Sequence, residues 1–205
     1  MKKLLPALLL STLTPLAQAE IGDVSIGLGG SLIPLTQGPG VEIGYEFSDH
    51  VDLKGIYYKG KLSGEADGDG VRYSGAIESQ MTGVMLDYYP TEGRSFKMVL
   101  GAVSNGSKIT GSASNVTIGA NNTDVDVKIS FKKPGVYLGV GYDAHFTEKF
   151  GLGFSGGMLY TGSPSVDYTA SNASVDEAAE GAALEADLSV LKFLPVIKMN
   201  LFYKF

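Results

Sequence analysis

Apolar and polar positions alternate along most of this chain, most cleanly over residues 193–205. Phe193, Pro195, Ile197, Met199, Leu201, Tyr203 and Phe205 make one face, all apolar. The other face, Leu194, Val196, Lys198, Asn200, Phe202 and Lys204, turns polar toward its C-terminal half. A side-chain period of two with one unbroken apolar face predicts a strand with one side against a hydrophobic medium. Seven more segments share the pattern: 23–33, 41–47, 51–62, 73–89, 96–107, 134–146 and 150–161. In 134–146, Val136, Leu138, Val140, Tyr142, Ala144 and Phe146 oppose Gly139, Gly141, Asp143 and His145.

The connections support a closed arrangement. Residues 48–50, 90–95 and 147–149 are short links, whereas 63–72, 108–133 and 162–192 are long. The stretch 34–40 is a shorter exception in the second set. Tight turns at one end and long loops at the other, joining an even number of half-apolar strands, predict an all-β fold. Its form is an eight-stranded antiparallel up-and-down transmembrane β-barrel. Both termini of such a barrel fall at the tight-turn end, expected to be periplasmic. Phe47, Tyr88, Phe96, Phe146, Phe150, Tyr203 and Phe205 cluster there as an interfacial belt. Tyr57, Tyr73, Tyr160 and Phe193 sketch a second belt near the long loops.

Residues 1–19 carry Lys2 and Lys3, a short apolar run from Leu4 to Leu10 broken by Pro6, and Ala17-Gln18-Ala19. That is the pattern of a secretory signal cleaved before Glu20, leaving 20–205 as one barrel domain. Loss of Lys2 and Lys3 leaves 14 basic against 22 acidic residues, a net charge of −8. Such acidity argues against a nucleic-acid partner. The chain has no cysteine, which excludes disulfides and thiolate metal sites, and only two histidines. No metal and no cofactor is expected. The 28 glycines suit inward barrel positions, where a missing side chain relieves crowding.

The segments VMLDYYP (84–90), YLGVGYD (137–143), GSPSVDYTA (162–170) and FLPVIKMNLFYKF (193–205) resemble those of an uncharacterised family of small bacterial outer-membrane β-barrel proteins. The likeness covers most of the mature chain. It implies fold and a place in the outer membrane, but no activity and no site residues. The final strand, with Tyr203 and Phe205, also resembles the closing strand that the barrel-assembly machinery reads as its signal. The expected partners are therefore that machinery, outer-membrane lipids and lipopolysaccharide, with the barrel itself a monomer.

The inward face holds the candidate chemistry. Alternation places Glu42, Glu46, Asp52, Asp87 and Asp143 there, against Lys54, Lys97, Lys198 and Lys204, with His145 nearby. An eight-stranded barrel has little room inside, so these charges are expected to pair as a structural plug. A polar conduit or ligand pocket is the alternative, favoured by the inward glycines. Asp143 and His145 share a face and can form a carboxylate–imidazole pair. A catalytic use of His145 would need a nucleophile, and inward Ser155 sits much nearer mid-barrel. His50 reads as a solvated turn residue. Residues 64–70 (GEADGDG) suggest calcium only weakly, because the bidentate Glu of a calcium loop is missing, so a flexible acidic loop is expected. Residues 110–123, rich in Ser, Thr, Asn and Gly, read as turns or a hairpin extension. Ser174 with Glu177 forms a capping box for one acidic helix in the last long loop, with Leu184, Leu188 and Leu191 on one face. The function these features support is non-enzymatic: a structural role, or narrow passive transport or binding of a small molecule. A lipid-modifying barrel enzyme and a surface adhesin acting through the long loops are the alternatives.

Overall fold

The computed structural model describes residues 22–32, 38–68, 70–91, 93–118, 121–131, 134–171 and 176–205. The signal segment and Ser174 lie outside them. Eight strands close into an antiparallel barrel: β1 (Val24–Leu32), β2 (Gly38–Ser48), β3 (Val51–Gly68), β4 (Val71–Tyr88), β5 (Phe96–Asn105), β8 (Pro134–His145), β9 (Phe150–Tyr160) and β11 (Phe193–Lys204). Closure comes from β11, which pairs with β9 on one side and with β1 on the other, Leu28 opposite Leu201. A closed ring leaves no strand edge, the condition for crossing a bilayer with strands.

The alternation read from sequence sorts side chains between the two faces. Outside, Leu28, Ile43, Val84, Leu100, Leu138 and Leu201 are among the large apolar side chains left exposed. At the tight-turn end the aromatics pair up: Phe146 with Phe150 at 5.7 Å between ring centres, Tyr203 with Phe205 at 5.2 Å. At the other end Tyr160 and Phe193 stand 5.1 Å apart. Tyr73 does not join that second belt. It lies opposite Ala66, on the face continuous with the barrel interior, and well beyond the barrel wall.

The first two long loops are largely strand, which corrects the flexible loop expected at 64–70. β3 and β4 run past the barrel as an 18-residue pair of strands, with Gly70 at φ +78° in their turn. Above Met81, β4 exchanges its partner β5 for β6 (Lys108–Ile118), which pairs with β7 (Asn121–Ser130), which pairs with β10 (Ser165–Ala170). Of the turns or hairpin extension expected at 110–123, the structure has the hairpin, β6–β7, and it runs on to Ser130. The register aligns Leu62, Ile77, Ile109, Ile129 and Val166 across five strands on the inner face. The outer face is polar, with ion pairs Lys61–Glu78 (2.8 Å), Arg72–Asp67 (3.2 Å) and Lys128–Asp167 (3.3 Å). Exposed pairs of this kind contribute little to stability, ~0–1 kcal/mol each.

The one described α-helix, α1 (Glu177–Asp187), lies along β10, and a 3₁₀ turn (Leu188–Lys192) leads from it into β11. Its N-cap is Asp176, whose Oδ1 accepts from the Ala179 N–H at 3.1 Å, in place of the capping residue expected at Ser174.

Glycine shapes the interior through close approach. The Tyr58 ring covers Gly40, the Met85 sulfur covers Gly101 and the Phe202 ring covers Gly151. Each missing side chain is replaced by a neighbour's bulk, so the glycines permit filling rather than a void. In the extension the space above Gly111 is open. Gly40→Ala therefore forces Tyr58 aside and should cost about 1–3 kcal/mol, whereas Gly111→Ala should stay within about 0.5 kcal/mol. Urea unfolding of the refolded barrel, followed by its heat-modifiable gel mobility, checks both values.

Candidate functional site

The interior has two layers. Near the tight turns, alternate positions of β2, β3, β4, β5, β8 and β11 aim charges at the barrel axis. Lys54 Nζ reaches Asp87 Oδ2 at 2.7 Å. Lys97 Nζ lies 3.0 Å from the same oxygen and 2.8 Å from Asp143 Oδ1. The Tyr89 hydroxyl lies 2.7 Å from Asp143 Oδ2 and 3.2 Å from Asp52 Oδ2, and so bridges the two acids. A second branch joins Lys198 Nζ to Glu42 Oε1 at 3.0 Å, with the Tyr58 hydroxyl donating to that oxygen at 2.6 Å. At the rim, Lys204 Nζ pairs with Glu46 Oε2 at 2.9 Å.

The layer is closed from below by Arg94, in the turn between β4 and β5. Its guanidinium stacks on the Tyr89 ring at 4.4 Å, pairs with Asp52, and lies 3.1 Å from Glu46 Oε1. It also donates to the carbonyls of Ser48 and Asp49 in the neighbouring turn, at 3.0 and 2.7 Å. Burial works against its charge, but Asp52 and Glu46 outweigh that and hold its pKa above the ordinary value. His50, in that neighbouring turn, lies with Nδ1 2.8 Å from the Tyr89 carbonyl, so it braces the stopper although its side chain is exposed.

Above this layer lies an apolar cluster, with Ser79, Asn105, Ser107 and Ser130 also buried at that end. Met81, Met85, Val99, Val103, Leu159 and Val196 are each at most 1% exposed and pack as one cluster. Phe131, following β7, enters it from the extension side, and Ile129 and Leu191 pack against it. Tyr137, fully buried, lies between the layers with Lys198 Nζ 5.8 Å from its ring centre.

Alternation placed Glu42, Asp52, Lys54, Asp87, Lys97, Asp143 and Lys198 inside, and all are buried; Glu46 and Lys204 are half-buried at the rim. His145 departs from the expected cluster. Its side chain is exposed and meets Phe202 edge-on at 5.5 Å, while Asp143 is taken up by Lys97 and Tyr89. Ser155 lies opposite Gly141, four residues along the strand pair from His145, about 13 Å away. The two cannot form a nucleophile–base pair. Among the described residues, no group of three or more His, Cys, Asp or Glu is arranged to hold a metal. Three contributors escaped the sequence reading. Tyr89 extends the inward phase of β4 by one step and was within reach of the alternation. Tyr58 sits in phase with Lys54. Arg94 had no periodic signal, since it reaches in from a turn at φ 46°.

With Arg94 counted and His145 removed, five acids face five bases. The set is balanced and mutually bonded, buried at its centre and half-buried where Glu46 and Lys204 meet the rim. It holds the strands in register from within.

No protein-family model matches the chain, and no curated protein matches it by sequence. Among solved structures, CarO2 of Acinetobacter baumannii is similar at a TM-score of 0.64, with 16% identity over 91% of this chain and 100% of that one. CarO of the same organism gives 0.62, with 17% identity over 92% of this chain and 99% of that one. At such identities the likeness speaks for the fold, an eight-stranded barrel.

Lys97→Met should destabilise the barrel by about 3–5 kcal/mol, because Asp87 and Asp143 lose a shared cation in a buried setting. Adding Asp143→Asn should recover part of the loss. The urea midpoints of the two variants, compared with the parent, test this coupling.

Proposed function

We propose that this chain is a non-enzymatic bacterial outer-membrane protein whose barrel is a closed anchor and whose outward sheet extension is the working part. The observation that carries this reading is the interior of the described residues: a neutral ion network below a buried apolar cluster. The girdle of exposed apolar side chains, flanked by paired aromatics, suits outer-membrane lipid. The extension then faces outward, beside lipopolysaccharide, and the tight turns, with the start of β1 and the end of β11, lie on the periplasmic side. In this reading the segment 1–19 directs export, Tyr203 and Phe205 serve the assembly machinery, and the barrel works as a monomer.

A contact role at the cell surface follows from the same geometry. The extension carries five paired strands well beyond the barrel, more ordered backbone than a structural anchor needs. Passive transport finds no support in the interior, and a lipid-modifying site would need a catalytic pair that His145 and Ser155 do not form.

Purified protein in planar bilayers should remain electrically silent over long recordings. Regular, protein-dependent conductance steps from the unmodified chain would overturn the closed-anchor reading.

A further inference from the structure

β10 is the last strand of the extension, and α1 lies along its outer edge in an unusual way. The Val166 N–H donates to Glu185 Oε1 at 2.9 Å, and the Ala170 N–H donates to Glu177 Oε1 at 2.7 Å. The spacings match. Eight residues of helix rise about 12 Å, and four residues of strand about 13 Å. Gly181, midway between the two glutamates and the only buried residue of α1, faces Tyr168, midway between the two amides. Two carboxylates thus stand where the carbonyls of a neighbouring strand would be.

The imitation is incomplete. In an antiparallel strand, N–H and C=O of the same residue point to the same side. The carbonyls of Val166, Tyr168 and Ala170 therefore also face the edge, and carboxylates can only accept. Gly181 presents no side chain to the Tyr168 N–H. A true strand would answer donors and acceptors alike. Edge strands left in this condition are templates for pairing.

We propose that the β10 edge is a docking site for an extended segment of another polypeptide, with α1 as the intramolecular occupant it displaces. The segment adds as a twelfth strand to the sheet. Its chemistry follows from the two faces: apolar side chains beside Val166, Tyr168 and Ala170, alternating with basic ones on the face of Asp167. Basic residues are also favoured by Asp176, Glu177, Glu180, Glu185 and Asp187, a helix region with no base of its own. The proposal builds on the outward placement of the extension but not on the electrical silence of the barrel.

The test uses the full-length protein in nanodiscs and a labelled peptide of alternating Val and Lys. Glu177→Ala/Glu185→Ala removes the stand-in acceptors and should tighten peptide binding roughly tenfold or more. Gly181→Val, which lifts the helix by bulk and leaves both carboxylates, should give a gain of the same sign. The same peptide N-methylated at alternate residues keeps its charge and apolarity but cannot pair, and should lose binding. In the Glu177→Ala/Glu185→Ala variant, amide exchange should show Val166, Tyr168 and Ala170 protected by the unmethylated peptide. Equal binding of the methylated peptide would reduce the effect to charge attraction and overturn the proposal. So would failure of both variants to gain affinity while the Asp167 amide stays protected in the β7 ladder. Either failure leaves the closed anchor standing, because that reading is decided by conductance.

Discussion

An eight-stranded ring that turns its apolar side chains outward must do something with everything that points in. That constraint governs the rest of this molecule. The interior is too narrow for bulk water to solvate charges and too polar in its lower half to be left unpaired. Lys54, Lys97, Lys198, Lys204 and Arg94 answer Glu42, Glu46, Asp52, Asp87 and Asp143, and two tyrosine hydroxyls take up remaining lone pairs. In such a setting the loss of one partner costs more than the pair itself contributes, because the other is left charged in a poor solvent. The network thus acts chiefly as a specification of register: each ion pair is correct only when its strands are aligned as found.

Glycine solves the other half of the problem. Glycines at Gly40, Gly101 and Gly151 leave room on one strand that Tyr58, Met85 and Phe202 occupy from the next. The room these inward glycines leave is filled by bulky neighbours. The same residue type in the extension has no such neighbour, so Gly111 faces open space. Glycine content by itself could not distinguish these cases, since the difference lies in which side chain stands opposite.

The extension shows how a barrel acquires a surface from strands of its own sheet. β3 and β4 simply continue, and β6, β7 and β10 join the sheet above the point where β5 turns back. The inner row Leu62, Ile77, Ile109, Ile129 and Val166 carries the lumen's apolar character upward, and the outer face becomes polar beyond the barrel's apolar girdle. An open edge is the cost of this construction, and α1 covers it with two carboxylates rather than with apolar packing. A cover held by two exposed hydrogen bonds is easier to remove than one held by a core.

Local sequence decided the number of barrel strands, the two faces of each and the identity of nearly every buried charge, because a period of two is a property of the backbone alone. Even so, the alternation Val125, Val127, Ile129 against Asp126 and Lys128 was legible and passed as loop, masked by the Ser, Thr and Asn around it. Only tertiary structure decided the remainder. Arg94 enters the network from a turn, where no periodicity operates, and His145 leaves it because its strand ends at the rim. The filling of the glycine positions, the change of partner along β4 and the seating of α1 on β10 all depend on residues distant in the chain meeting in space. A pattern confined to one segment cannot encode which other segment will lie beside it.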